Sequence, residues 1–177
     1  MSDPARFEAF VRSYQDMVFA TAVRLLGNPA EAEDVAQTVF LKAFERFDEI
    51  GTSPAAGGWL KTVTRNACLN HLTRYRKRWR LFSEMRTEQD GETTRFEDTL
   101  VAPGSASGAL EQADDRDRLE RALRALPDHQ RVALVLFHFE SASYEEIAAA
   151  LGISIAKVKT DIHRGRDALK KYFHEPR

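Results

Sequence analysis

The sequence predicts an all-α protein made of two small helical domains joined by a flexible acidic linker. Apolar residues recur at steps of three and four over most of the chain, strand-like alternation is absent over any useful length, and an aperiodic segment divides the chain. The 177 residues leave room for two small domains. We therefore expect a first domain over residues 1–82, a linker over 83–112 and a second domain over 113–177.

The first two helices are marked by their boundaries as well as by their periodicity. Apolar residues from Ala5 to Leu26 fall on one helical face, and Gly27 then ends the helix. Asn28 can cap the next helix, Pro29 suits its first position, and Glu31 completes the capping pattern. This second helix is expected to expose a densely charged face. Its buried residues are predicted to be Ala32, Val35, Ala36, Val39, Phe40, Ala43, Phe44 and Phe47.

A loop of small residues, Gly51 to Gly58, precedes a third helix that starts near Trp59 and shares its core with the first two. This helix runs into a segment that contains no acidic residue between Gly57 and Arg80. The cations of the segment are Lys61, Arg65, Arg74, Arg76, Lys77, Arg78 and Arg80. The linker is acidic, so the overall balance of 26 basic and 27 acidic residues hides two oppositely charged segments.

The second domain is predicted to contain a helix-turn-helix. Helical spacing resumes after the linker and breaks at Pro127. Ser143 and Glu146 form a capping box, Gly152 permits a sharp turn, and Ser154 can cap the helix that follows. That helix is strongly basic, which suits a helix lying in a major groove. A solvated surface is the usual explanation of such a helix, but the cap, the turn and the apolar spacing together favour DNA binding.

Nothing in the sequence indicates an enzyme. Cys68 is the only cysteine, which excludes an intramolecular disulfide and a cysteine cluster for zinc. The five histidines lack metal-ligand spacing, so we assign no catalytic residue, no metal and no cofactor. Cys68 is either a small buried hydrophobe or a redox switch. The amino terminus lacks the apolar stretch of a signal peptide or a membrane span, so we expect a cytoplasmic protein.

Two sets of motifs, in a fixed order, resemble one protein family. Residues 126–131, Leu-Pro-Asp-His-Gln-Arg, followed by Tyr-Glu-Glu-Ile-Ala at 144–148, resemble conserved region four of the extracytoplasmic-function (ECF) group of sigma-70-type factors. Residues 32–40, together with Trp59-Leu60 and Arg65-Asn66, resemble region two of the same group. The resemblance implies a sigma factor that binds bacterial core RNA polymerase and directs promoter recognition, strand opening and transcription initiation.

The resemblance assigns three sets of contact residues. The first set, on the outer face of the second helix, contacts a coiled coil of the polymerase's largest subunit and consists of Glu33, Asp34, Gln37, Phe40 and Leu41. Those for the minus-ten promoter element are Trp59, Lys61, Arg65, Asn66, Asn70, Arg74, Arg76 and Lys77. Those for the minus-thirty-five element, in or beside the helix-turn-helix at 144–163, are Ser154, Lys157, Lys159, Thr160, His163, Arg164 and Arg166. Further implied partners are the polymerase flap, duplex and melted promoter DNA, and an anti-sigma factor.

Several assignments leave alternatives open. Trp59 is either a stacking group or part of the core. Asp161 stands where relatives often have a basic residue, so it either alters promoter preference or accepts a hydrogen bond from cytosine. The loop at 51–58 lacks the aromatic and charged residues common in the family, and the linker either follows the polymerase's RNA exit path or is a tether. The main rival function is a stand-alone helix-turn-helix repressor or activator, which would bind duplex DNA without polymerase.

Overall fold

The computed structural model describes residues 3–74 and 109–174, and every regular element within these two ranges is an α-helix. In chain order the helices are α1 (Pro4–Leu26), α2 (Pro29–Glu45), α3 (Phe47–Ile50), α4 (Ala56–Thr73), α5 (Ala109–Ala125), α6 (Asp128–His138), α7 (Tyr144–Leu151) and α8 (Ile155–His174). The predicted all-α class is confirmed. Helix α5 already begins inside the predicted linker, and residues 83–108 of that linker lie outside the described ranges.

The boundary between α1 and α2 follows the capping residues that the sequence predicts. Gly27 has a left-handed backbone with φ of 68°, and its N–H donates to the Val23 carbonyl at 2.7 Å. The Asn28 side chain accepts from the N–H groups of Ala30 at 2.9 Å and Glu31 at 3.3 Å. These contacts satisfy backbone groups that have no partner inside a helix, so they fix where α1 ends and α2 begins.

Helices α1, α2 and α4 pack around a shared apolar core, as predicted, with Leu60 fully buried in it. Two boundaries differ from the prediction. Helix α2 ends at Glu45, so Phe47 belongs to the separate short helix α3, although its side chain is buried as expected. Helix α4 begins at Ala56, inside the predicted loop, which brings its first turn against the core of the domain.

Helix α6 is the most enclosed part of the second domain. Its eight consecutive residues from His129 to Leu136 are all buried, because α6 packs against both α8 and α1. A helix on a protein surface would instead show polar exposed residues at every turn. The buried apolar residues of the two domains consequently form one continuous cluster.

Arg131 joins α6 to the carboxyl-terminal end of α1. Its side chain is 3% exposed, and its Nη2 donates to the Leu26 carbonyl at 2.9 Å and to the Leu25 carbonyl at 3.4 Å. The same guanidinium donates to the Leu126 carbonyl at 3.1 Å and pairs with Asp128 at 2.6 Å. The last carbonyls of a helix lack intrahelical partners and carry partial negative charge, which a cation stabilises. Helix α1 is therefore capped by a residue of the other domain.

Two further polar contacts cross the boundary between the domains. Arg24 Nε lies 2.8 Å from Glu120 Oε1, and its guanidinium carbon lies 4.7 Å from the centre of the Phe139 ring. Lys61 Nζ lies 3.4 Å from the Phe139 carbonyl oxygen. Together with the Arg131 cap, these contacts hold the second domain against α1 and α4.

Candidate nucleic-acid and protein interfaces

Helices α7 and α8 form the predicted helix-turn-helix. The Ser143 hydroxyl oxygen accepts from the Glu146 N–H at 3.1 Å, and Gly152 makes the turn with φ of 67°. Ser154 accepts from the Lys157 N–H at 3.1 Å and so caps the start of α8. The fully buried apolar side chains of the two helices are Ile147, Val158 and Ile162. The motif is thereby confirmed as a packed unit with both of its caps formed.

The solvent-facing side of α8 carries most of the residues predicted for the minus-thirty-five element. The exposed or half-buried members are Ser154, Lys159, Thr160, His163 and Arg164. Lys159 Nζ lies 5.7 Å from the centre of the Tyr144 ring, which places this cation beside α7. His163 Nε2 lies 3.3 Å from Asp167 Oδ2 one turn further along. This side of the helix therefore presents a mixture of cationic and hydrogen-bonding groups.

Three other charged residues of α8 point into the protein. Asp161 is fully buried, and its Oδ1 lies 2.5 Å from Lys157 Nζ, whose side chain is 9% exposed. Arg166 is buried as well, with Nη2 at 3.0 Å from His138 Nε2 and its guanidinium carbon 5.7 Å from the Phe137 ring centre. Lys157 and Arg166, both predicted DNA contacts, are thus engaged within the domain. Asp161 does not reach the solvent-facing side, where it would meet a cytosine.

Helix α4 places part of the predicted minus-ten set on one line. At about 100° per residue, Trp59, Asn66 and Asn70 lie within roughly 40° of one another around the helix axis, and Arg74, the residue after the helix, lies roughly 60° from Trp59. The two asparagines and Arg74 are exposed, whereas Trp59 is half-buried. The guanidinium carbon of Arg46 lies 6.0 Å from the Trp59 ring centre. The tryptophan therefore packs on the core with one part and leaves another part accessible.

The other predicted minus-ten residues are not brought to that line. Lys61 and Arg65 lie roughly 100° to 180° away around the α4 axis. Lys61 faces the second domain through its contact with the Phe139 carbonyl, and Arg65 is half-buried. Arg76 and Lys77 lie outside the described residues.

The outer side of α2 brings together all five residues predicted to contact the polymerase. They span a stripe of roughly 120° around the helix axis, exposed except for the half-buried Phe40. Phe44 falls in the same stripe and is 51% exposed, so the prediction that it is buried is wrong. The sequence could have predicted this exposure, because Phe44 follows Gln37 by seven residues and a spacing of seven returns to the same face of a helix. The α2 stripe is defined here as Glu33, Asp34, Gln37, Phe40, Leu41 and Phe44.

Cys68 is fully buried in α4. Burial and, to a smaller extent, the nearby Glu140 carboxylate raise the pKa of its thiol to about 12. Such a thiol is protonated at neutral pH and a poor nucleophile, which favours a buried hydrophobe over a redox switch. Within residues 3–74 and 109–174, no group of three or more His, Cys, Asp or Glu is placed to hold a metal ion. No helix in the same ranges combines the length and the apolar character needed to span a bilayer.

Comparison with known proteins finds two matched segments in the chain. Residues 10–80 match the family described as Sigma-70 region 2, and residues 116–169 match Sigma-70, region 4. The chain therefore belongs to the sigma-70 family of RNA polymerase sigma factors, which are transcription-initiation factors rather than enzymes. The predicted ECF group is confirmed by its relatives.

Three relatives illustrate the similarity. The chain is 30% identical to the ECF RNA polymerase sigma factor SigW of Bacillus subtilis (strain 168), over 98% of this chain and 91% of the relative. It is 33% identical to the RNA polymerase sigma-E factor of Streptomyces coelicolor, over 97% and 88% respectively. It is 30% identical to the RNA polymerase sigma-H factor of Pseudomonas aeruginosa, over 96% and 86%. In each case the similarity runs through both domains.

Proposed function

We propose that this sigma factor binds core RNA polymerase through the α2 stripe, captures the minus-ten element with α4 and contacts the minus-thirty-five element with α8. The observation that carries the proposal is the presence of three exposed surfaces of different chemistry on one chain. A stand-alone helix-turn-helix regulator would need only the third. The division into residues 1–82, 83–112 and 113–177 assigns the first two surfaces to one domain and the third to the other.

The α2 stripe has the composition of a protein-binding surface. Leu41 is 66% exposed and Phe44 51% exposed, and covering a large apolar side chain contributes about 1.5–3 kcal/mol when its burial is complete. Glu33 and Asp34 lie at the other end of the stripe, where they can pair with basic groups of a partner and fix its orientation. The family resemblance supplies the partner, a coiled coil of the polymerase's largest subunit.

The line of side chains on α4 suits a melted promoter strand. A base taken out of the duplex loses a few kcal/mol of stacking and pairing, which a polar pocket beside an aromatic ring can offset. Asn66 and Asn70 offer donors and acceptors, and the half-buried Trp59 lies about two turns before Asn66 on the same line. Arg74, just after the end of α4, can neutralise a backbone phosphate. Lys61 and Arg65 lie on other sides of α4 and are left out of this contact set.

The solvent-facing side of α8 suits duplex DNA. The second helix of a helix-turn-helix lies in the major groove with its amino-terminal residues on base edges, which are Ser154 and its neighbours here. Lys159 and Arg164 can contact guanine or phosphate, and Thr160 and His163 can contact base edges. Lys157 and Arg166 are left out of the proposed contact set because they are engaged inside the domain.

The proposal also includes an anti-sigma partner, a contact of the second domain with the polymerase flap, and a cytoplasmic location. Their support is the family resemblance, because sigma factors act on RNA polymerase inside the cell. A protein that covers the α2 stripe would block polymerase binding directly, which is the simplest mode of control for this surface.

The direct test measures the affinity of labelled protein for purified bacterial core RNA polymerase by fluorescence anisotropy. The variant Asp34→Arg with Gln37→Ala changes the centre of the α2 stripe. The matched control, Asp16→Arg with Gln15→Ala, makes the same two changes at exposed positions of α1. We expect the stripe variant to bind at least about tenfold more weakly, because a reversed interfacial charge costs 1.4 kcal/mol or more. The control should bind like the wild type.

Two outcomes would contradict the proposal. Equal loss in both variants would remove the α2 stripe from the polymerase interface. Absence of any binding to core, combined with tight binding to duplex DNA by the protein alone, would favour the stand-alone repressor or activator.

A further inference from the structure

The first turn of α8 exposes an apolar side chain where a DNA-binding helix meets base edges. Four large apolar side chains are exposed among the described residues, and three of them lie on α1 and α2. The fourth is Ile155, the first residue of α8, which is 40% exposed. A single exposed isoleucine is ordinary on a protein surface, so the interest of Ile155 lies in its position, at the start of the helix that a helix-turn-helix places in the major groove.

The neighbours of Ile155 leave this turn without an outward-facing cation. Ser154 forms the cap and Ala156 is exposed beside it. Lys157 would bring a positive charge to the same turn, but its ammonium group is turned inward to the buried Asp161. The next cation along the exposed side is Lys159, which lies over the Tyr144 ring. The tip of the recognition helix is therefore apolar, and the positive charge begins a turn later.

Cationic and apolar side chains recognise different groups in the major groove. Arginine and lysine recognise guanine through its O6 and N7 atoms, whereas apolar side chains contact the C5 methyl group of thymine. The amino-terminal residues of the second helix are those that reach base edges in this motif. An apolar tip thus matches a base pair whose major-groove edge carries a methyl group.

We propose that Ile155 is a specificity-determining residue that contacts the C5 methyl group of a thymine in the minus-thirty-five element. The inference rests on the proposed promoter-binding function and adds the base that the tip of α8 recognises.

The test uses holoenzyme reconstituted from this chain and core polymerase, and a minus-thirty-five duplex selected by that holoenzyme from a randomised library. Each thymine of the selected element is replaced in turn by deoxyuridine, which removes only the methyl group. At one position the dissociation constant should rise roughly fourfold, the equivalent of about 0.8 kcal/mol for one buried methyl group. In Ile155→Ala holoenzyme the same replacement should have no effect.

Lys159→Ala supplies the matched control on the same helix. It should weaken binding and reduce its salt dependence, because a phosphate or guanine contact is lost, while the fourfold deoxyuridine effect stays. Circular dichroism and the affinity for core polymerase should be unchanged in Ile155→Ala, since the residue is exposed and distant from the α2 stripe.

The outcomes separate this inference from the proposed function. Binding of the duplex with no deoxyuridine effect, or with one that persists in Ile155→Ala, would overturn the role of Ile155 and leave the sigma assignment intact. A selected element without thymine would do the same. Holoenzyme that selects no duplex at all would count against the proposed contact of α8 with the promoter.

Discussion

Helices α2 and α6 both pack against neighbouring helices, yet they use their surfaces in opposite ways. Helix α2 buries one face and leaves the α2 stripe open, including the exposed Leu41 and Phe44. Helix α6 buries eight consecutive residues, because α8 covers it on one side and α1 on another. Both helices have apolar residues at helical spacing. The difference is the partner, which is another protein in our proposal for α2 and the first domain of the same chain for α6.

The largest expected effect comes from removing the α6 contact to α1. Arg131→Ala would leave the Leu25 and Leu26 carbonyls without their donor and Asp128 without its ion pair. The free energy of unfolding should fall by about 3 kcal/mol, because several hydrogen bonds to a buried charged group are lost together. Urea denaturation measures the change. Arg124→Ala, at an exposed position near the end of α5, is the control and should change stability by less than about 0.5 kcal/mol.

Substitutions in the α2 stripe should have an intermediate effect, and they should lower the affinity for polymerase as well as the stability of the fold. Leu41→Ala with Phe44→Ala removes two side chains that are 66% and 51% exposed. Because the Phe44 ring also stands edge-on to the Phe7 ring at 5.0 Å, the free energy of unfolding should fall by about 1–1.5 kcal/mol, less than for Arg131→Ala. The affinity for core polymerase should fall by roughly tenfold, since the apolar half of the α2 stripe is gone. A large loss of stability with unchanged affinity would break the contrast between α2 and α6.

The smallest effect is expected for the half-buried ion pair between the domains. The Arg24 and Glu120 side chains are 28% and 24% exposed and 2.8 Å apart. A double-mutant cycle with Arg24→Ala and Glu120→Ala should give a coupling energy of about 0.5–1 kcal/mol that declines as salt is added. A coupling energy near zero in low salt would show that the Arg131 cap and the apolar contacts hold the two domains together without this pair.

Local signals predicted the parts of this fold that depend on neighbouring residues. The order Gly27-Asn28-Pro29 predicted where α1 ends and α2 begins, and Ser143 with Gly152 predicted the helix-turn-helix, since caps and turns are made within a few residues. The short α3 was missed because Phe47 continues the apolar spacing of α2, and only the structure shows the break after Glu45.

The orientation of helix faces was harder to predict. On a helix that is covered on more than one side, composition does not tell which charged residues turn inward. Lys157, Asp161 and Arg166 were therefore predicted to face the DNA, although all three are engaged inside the protein. The spacing of apolar residues could not predict the contact of Arg131 with α1, because its partners are backbone carbonyls more than a hundred positions earlier in the chain.

The contact between the domains has a thermodynamic consequence for promoter binding. The two promoter elements are centred about 25 base pairs apart by their names, which is roughly 85 Å along B-form DNA. Here α4 lies directly against α7, with Lys61 on the Phe139 carbonyl. If α4 and α8 bind the two elements as we propose, one chain can occupy both only after these surfaces separate. The observed affinity is then the intrinsic affinity reduced by the population of the separated form. The residues that stabilise the free protein at this boundary therefore also set how much of it is competent to bind a promoter.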